Sequence, residues 1–426
     1  MKPITLLAVL AASAMAGHWD IEQVDSADWG AAVDMRWHPD GRLFLCYSDT
    51  SGIIRLASKD SIWSYENLPQ WHPALSGTQG FDIDRHGRIG VSYASTDGRL
   101  RCALKTDTDW VDIQTPFSLE IPPCLITLDT AGAPAITIPT RDAYLLARLR
   151  DTFWASETLA TGYSGFSNAF VSSALGSMAD GTIWGVFLYS FEWPACYIHG
   201  DALCSFQVRD SGTSVTDIRT VGGGTIGGAS GCVDQHGAVH SCYNYWLDET
   251  NGMFLDQTQI DSESSARTNA VKYDSLDRPQ IAYVTGGDTL MYRYLDSGVW
   301  HIFGLRTTAV TALSLAIDEN SEPLIAYTTS DGVFLAHGVG VTGQSEDRQQ
   351  PTPIGRQLTA SVVRNVLLLP EASSRKPKAA CCLLDAAGRR ALDLHPGAND
   401  VSSLAPGVYF VREAQAQAVR KVIIAR

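Results

Sequence analysis

One eleven-residue pattern returns seven times along the chain, and it constrains the fold more than any other feature of the 426 residues. The copies are "WHPDGRLFLCY" (Trp37–Tyr47), "IDRHGRIGVSY" (Ile83–Tyr93), "LDTAGAPAITI" (Leu128–Ile138), "SMADGTIWGVF" (Ser177–Phe187), "VDQHGAVHSCY" (Val233–Tyr243), "YDSLDRPQIAY" (Tyr273–Tyr283) and "IDENSEPLIAY" (Ile317–Tyr327). Each opens on a polar turn and closes in an alternating apolar run. The fifth position of the turn is Gly41, Gly87, Gly132, Gly181, Gly237, Asp277 or Ser321. Intervals of 40 to 56 residues are those of propeller blades or solenoid repeats.

The alternation reads as a half-buried strand, and Asp with Gly or Pro supplies the turn before it. A second hairpin follows, then a tryptophan-led strand: "IWSYENL" from Ile62, "DWVDIQT" from Asp109, "FWASETL" from Phe153 and "VWHIFGL" from Val299. Four short strands per repeat predict a β-propeller. The seventh copy runs through "GVFLAHGVGV" without supplying such a strand, whereas "HWDIEQV" (His18–Val24) matches "VWHIFGL". The N-terminal segment is therefore expected to close the ring as the outer strand of the last blade, a step that a solenoid does not need. The predicted fold is all-β: a seven-bladed propeller over residues 17–343, a polar linker over 344–353 and a small β-sandwich over 354–426.

Residues 1–16, "MKPITLLAVLAASAMA", combine a Lys, an apolar run and a small-x-small end, the arrangement of a secretory signal. The expected location is outside the cell or on its outer surface, where disulfides persist. Nine cysteines are present. Cys232 with Cys242 and Cys196 with Cys204 flank turns and could each bridge a hairpin. No Cys-x-x-Cys spacing points to a structural metal. From Thr352 onward eleven Lys/Arg face five Asp/Glu, a net of +6, whereas the preceding chain carries −20 of the total −14. Opposite signs separate two domains. An acidic main body excludes nucleic acid as the expected partner, since phosphate contacts need a basic face.

On these repeats and this closure, the region from Gly17 to Gly343 resembles the secreted bacterial seven-bladed propellers. Its fourth copy, "SMADGTIW", is similar to the Asp-box turn of sialidase-like propellers, with Ala179 and Asp180 where that pattern places Asp and a free position. The C-terminal unit resembles the sorting domain of proteins exported by the type IX (Por) secretion system. The features that carry this are Leu384-Asp385 with Gly388-Arg389, then Leu404 with Gly407-Val408-Tyr409-Phe410-Val411, and Lys421-Val422-Ile423 near the terminus. The resemblance implies outer-membrane passage with that secretion machinery as partner.

Chemistry is placed less sharply. The recurring turns, with His38, His86 and His236, lie on one face of the disc, and the loops that follow each Tyr lie on the other. Binding residues concentrate in irregular loops on rigid scaffolds. The enlarged segments "FLYSFEWPACY" and "YNYWLDETNGMF", with "PQWHPALSG" and "TGYSGFSN", nominate Trp71, Tyr163, Tyr189, Glu192, Trp193, Tyr245, Trp246 and Asp248 as ligand-binding. Aromatic rings beside acids suit sugars. One acid per blade follows the second strands: Asp49, Asp97, Asp142, Glu192, Asp248, Asp288 and Asp331. Such a ring could hold Ca²⁺, although Asp in a hairpin turn needs no function; no cofactor is expected. Arg36, Arg141 and Arg267 are the candidates for an anion clamp. No nucleophile elbow, phosphate loop or dinucleotide fingerprint occurs. The expectation is a monomeric protein that binds an extracellular glycan or surface polymer, with a sialidase-like glycoside hydrolase or lyase, or an interaction scaffold, as the alternatives.

Overall fold

The computed structural model describes residues 18–342, apart from 27–28, 70–73, 76, 78, 107–108, 119–122, 163–166, 194–197, 223–224, 247–251, 262–267, 286–288 and 306–308, together with parts of 361–424. All regular structure among the described residues is β-strand. Seven four-stranded antiparallel sheets follow one another at 29–67, 80–118, 126–161, 167–222, 225–261, 269–305 and 312–339, here called blades 1 to 7. The innermost strands stand side by side around a channel, and that of blade 7 (Ala312–Ile317) meets that of blade 1 (Trp29–Trp37).

The turn in each repeat explains its recurrence. Asp84 accepts hydrogen bonds on one carboxylate oxygen from the amides of His86 and Arg88, at 2.8 and 3.0 Å. Asp129, Asp234, Asp274 and Asp318 bind the corresponding two amides of their own turns. Where the leading Asp is missing, Asp40 and Asp180 each hold one amide instead, those of Arg42 and Thr182. The fifth residue is left-handed in all seven, from φ 56° at Asp277 to 90° at Gly41. Glycine adopts this at no steric cost, and Asp tolerates it.

The alternating run that follows is the second strand, and its apolar residues fill the space between blades. Among the described residues of the propeller seven apolar clusters form, one per interface. Between blades 1 and 2, for example, Phe44, Cys46 and Leu56 meet Phe81, Val91 and Tyr93. The motif's last residue (Tyr47, Tyr93, Ile138, Phe187, Tyr243, Tyr283 or Tyr327) is buried every time.

Closure occurs as the sequence predicts. His18–Asp25 pairs antiparallel with Gly332–Val339, from His18 opposite Val339 to Asp25 opposite Val333. Side-chain chemistry confirms the equivalence to a fourth strand. In blade 6, Tyr283 and Arg293 both bind Asp261, the last residue of the preceding blade's fourth strand. In blade 1, Tyr47 and Arg55 bind Asp25, the last residue of the N-terminal strand, at 2.9 and 2.6 Å.

The hairpin disulfide expectations are corrected. Cys204, Cys232 and Cys242 are free, buried thiols. The register sets Cys232 opposite His240 and Cys242 opposite Ser230, so the two sulfurs are not cross-strand partners. Burial pushes the Cys232 thiol up to about 12. Cys204 stands opposite Phe187 and donates to Asp217; Cys196 lies outside the described residues.

The chain divides into compact units at Ser345/Glu346. In the second unit, Ser361–Val363, Val419–Ile424, Gly407–Glu413, Cys381–Leu384 and Arg390–Leu394 form one sheet in that order, and Val366–Leu369 pairs with Gly397–Asp400. Leu383, Leu394, Val401 and Tyr409 are its buried core.

Candidate functional site

The residue just before each repeat sits on an inner strand at the same height in every blade. Read around the ring, that position holds Arg36, Asp82, Thr127, Gly176, Cys232, Lys272 and Ala316. Two positions earlier stand Asp34, Gly80, Leu125, Ala174, Ser230, Ala270 and Ser314. Ten of these fourteen, all but Gly80, Thr127, Cys232 and Ala316, line a cavity of about 580 Å³ along the channel, which continues to Asp84, Asp129 and Met178 at the turns.

A polar chain runs along this wall. Ser314 of blade 7 donates to Asp34 at 3.2 Å. Asp34 also accepts Arg36 Nη1 at 2.6 Å and the Met35 amide at 2.8 Å. Arg36 Nε reaches Asp82 Oδ1 at 3.5 Å. The other oxygen of Asp82 accepts Thr127 Oγ1 and the Leu128 amide, both at 2.9 Å. Blades 7, 1, 2 and 3 are thus stitched edge to edge. Enclosure works to lower the Arg36 pKa, but Asp34 and Asp82 outweigh it and leave it raised. Burial is the chief cause of the raised Asp82 pKa, against the pull of Arg36.

Lys272 closes the cluster from blade 6. Burial and the neighbouring Arg36 lower its pKa, while Cys232, Asp34 and Asp82 oppose them. A desolvated ammonium is easier to deprotonate and binds an incoming anion more strongly. The wall therefore presents one cation tied between two carboxylates and a second that shares their field.

The residues nominated from the loops fare differently. Tyr189 is buried and stacks on Phe170 at 4.6 Å. Tyr245 is buried under the Arg219 guanidinium, 4.4 Å from the ring centroid. Both rings belong to the blade interiors rather than to an open face. Glu192 is exposed on the strand Ile183–Trp193. The backbones of Trp193 and Trp246 end their strands, and Trp71, Tyr163 and Asp248 lie outside the described residues.

Of the acids spaced one per blade, Asp49 and Asp97 cap their own hairpins through Ile53 and Arg99 amides. Asp288 lies outside the described residues. Of the three arginines, Arg36 reaches the channel, Arg141 is exposed in a hairpin, and Arg267 lies outside the described residues. Two of the turn histidines tie neighbouring blades together, while His86 meets Arg85 of its own turn. His38 binds the Gly87 carbonyl at 3.1 Å, and His236 contacts Asp277 at 3.1 Å.

Fold and channel define a seven-bladed β-propeller with a polar, charged axial cavity. No protein-family model and no curated protein sequence matches the chain. Among solved structures, it is similar to the polysaccharide lyase PL25 ulvan lyase, with a TM-score of 0.52 at 12% identity, covering 75% of this chain and 95% of that one. The same lyase bound to -[GlcA(1-4)Rha3S]- matches equally. The Aleuria aurantia lectin, a six-bladed propeller, covers 67% of this chain with a TM-score of 0.38 at 12% identity. At these identities the likeness to the lyase is one of fold.

Proposed function

We propose that this protein is an exported propeller that binds an extracellular glycan in its axial channel, and that the C-terminal unit directs it through the type IX secretion system. The observation that carries the binding reading is the convergence of Lys272, Arg36, Asp34 and Asp82 on a cavity of about 580 Å³, large enough for a few sugar residues. Carboxylates and amides accept sugar hydroxyls, and Lys272 favours a carboxylate or sulfate on the chain. The ulvan lyase of like fold is bound to -[GlcA(1-4)Rha3S]-, a repeat with one uronate and one sulfated sugar, which supports an acidic glycan.

Glycan-array binding of the secreted protein, repeated with Lys272→Met, tests this. Acidic glycans are expected to bind and to weaken at least about tenfold in the variant, a loss of about 1.4 kcal/mol. An array without hits, or a variant that binds unchanged, refutes the channel as the site.

A lyase is the second reading, favoured by one observation: an enclosed amine with a lowered pKa beside an arginine. Such an amine can accept the proton next to a uronate carboxylate. Unsaturated, ultraviolet-absorbing products from an acidic polysaccharide would establish it. Glycoside hydrolysis by two carboxylates is less well supported, because Asp34 and Asp82 are already held by Arg36, Ser314, Thr127 and backbone amides.

A further inference from the structure

Blade 7 departs from a charge pairing that blades 2 and 6 make. In blades 2 and 6 the residue after the left-handed turn position is Arg88 or Arg278. Each folds back on its turn carboxylate, with contacts of 2.5 Å to Asp84 and 2.8 Å to Asp274. Blade 7 places Glu322 there, so Asp318 faces a second carboxylate where blades 2 and 6 have a cation.

The hydrogen bonds of the two acids leave one oxygen of each directed to a common point. Asp318 Oδ1 accepts the Asn320 and Glu322 amides, both at 2.8 Å. Asp318 Oδ2 keeps only a 3.3 Å contact from the Asn320 side chain. Glu322 Oε1 accepts the Gly340 amide at 2.7 Å. At the same point, from the third strand (Gly332–Val339), stands His337. Its Nε2 is sealed from solvent and makes no hydrogen bond. It lies 3.3 Å from Glu322 Oε2 and 3.9 Å from Asp318 Oδ2. The three ligand atoms lie within 4.8 Å of one another.

We propose that Asp318, Glu322 and His337 form a binding site for a divalent transition-metal ion, Zn²⁺ by ligand type. One imidazole and two carboxylates suit Zn²⁺, whereas Ca²⁺ and Mg²⁺ take oxygen. Metal–ligand bonds of about 2.1 Å set neighbouring ligand atoms about 3.4 Å apart in a tetrahedron, so the observed spacing needs only small side-chain movements. His337 also borders a groove of about 380 Å³ lined by Leu43 and Lys59 of blade 1 and Asp20 of the N-terminal strand. The groove gives the ion an entry path past the His337 ring. The ion replaces the missing arginine charge and ties the first turn of blade 7 to the strand on which the N-terminal segment closes the ring.

The test is Zn²⁺ titration of the full chain by calorimetry, with thermal unfolding as the second readout. Wild-type protein is expected to bind one ion per chain and to gain about 5 °C at a hundred-fold excess over Kd, with no gain from Mg²⁺. Glu322→Arg installs the residue that blades 2 and 6 carry; it should abolish stoichiometric binding yet leave the metal-free melting temperature unchanged or higher. His337→Gln should lose binding likewise, and it decides the matter if the arginine variant does not fold. Absence of stoichiometric binding by the wild type, or binding retained in these variants, overturns the proposal.

Discussion

Replacing Asp274 by alanine tests whether the repeat exists to hold its turn. The carboxylate is fully enclosed. It accepts the Leu276 and Arg278 amides at 2.9 and 3.0 Å, Arg278 Nε at 2.9 Å and Gln280 Nε2 at 3.3 Å. Arg278 has only 12% of its side chain exposed, and without Asp274 it keeps one acid, Asp296 at 2.9 Å. Breaking a buried pair costs about 3–5 kcal/mol; because Asp296 remains, the lower end applies, about 3 kcal/mol. Asp129→Ala is the internal control. That carboxylate binds the Ala131 and Ala133 amides, and the residue in the arginine position is Ala133. Its loss should resemble that of a helix cap, about 1 kcal/mol. Denaturant titration of the two variants beside wild type gives both numbers. If Asp274→Ala costs no more than Asp129→Ala, the arginine bridge adds nothing and the physical account of the motif fails.

Other outcomes follow from the same structure. Deleting residues 18–25 strips the partner from Gly332–Val339 and the acid from Tyr47 and Arg55; a loss above about 3 kcal/mol in denaturant titration is expected, and an equally stable protein would show that the ring closes otherwise. Gly176→Ala places a methyl 2.7 Å from the Trp184 ring, which should cost about 1–3 kcal/mol, read as a lowered denaturation midpoint. His240 is held by Asp256 at 2.8 Å and Asp234 at 3.3 Å; the Asp256 hydrogen bond outweighs burial and raises its pKa above 6.5. A raised folded pKa stabilises fully below about pH 6.5 and ceases to do so as pH rises through the folded value. The stability advantage of wild type over His240→Gln should therefore be largest in mild acid and shrink as pH rises through the folded value; an advantage that grows with pH would contradict this.

What the chain determined by itself is local or periodic. A turn carboxylate reaches amides two and four residues ahead, so the motif could be read from eleven residues and its meaning carried to all seven copies. The match of "HWDIEQV" to "VWHIFGL" was likewise enough to place the closing strand, because both show the same alternation of exposed and half-buried positions. The same rule of two, carried further, would have corrected the aromatic nominations. Tyr189 and Tyr245 stand two residues beyond Phe187 and Tyr243 on strands that continue past the motif, and so point into the same cores. Only the tertiary structure decided where charge gathers. Asp34, Asp82 and Lys272 are far apart in the chain and unremarkable one at a time; they meet because seven inner strands turn equivalent positions toward one axis. The signal was present as the position before each motif, where Arg, Asp and Lys replace small or uncharged residues. It becomes a site only when the ring is closed, since a low-dielectric channel converts four separate charges, Asp34 included, into one coupled cluster.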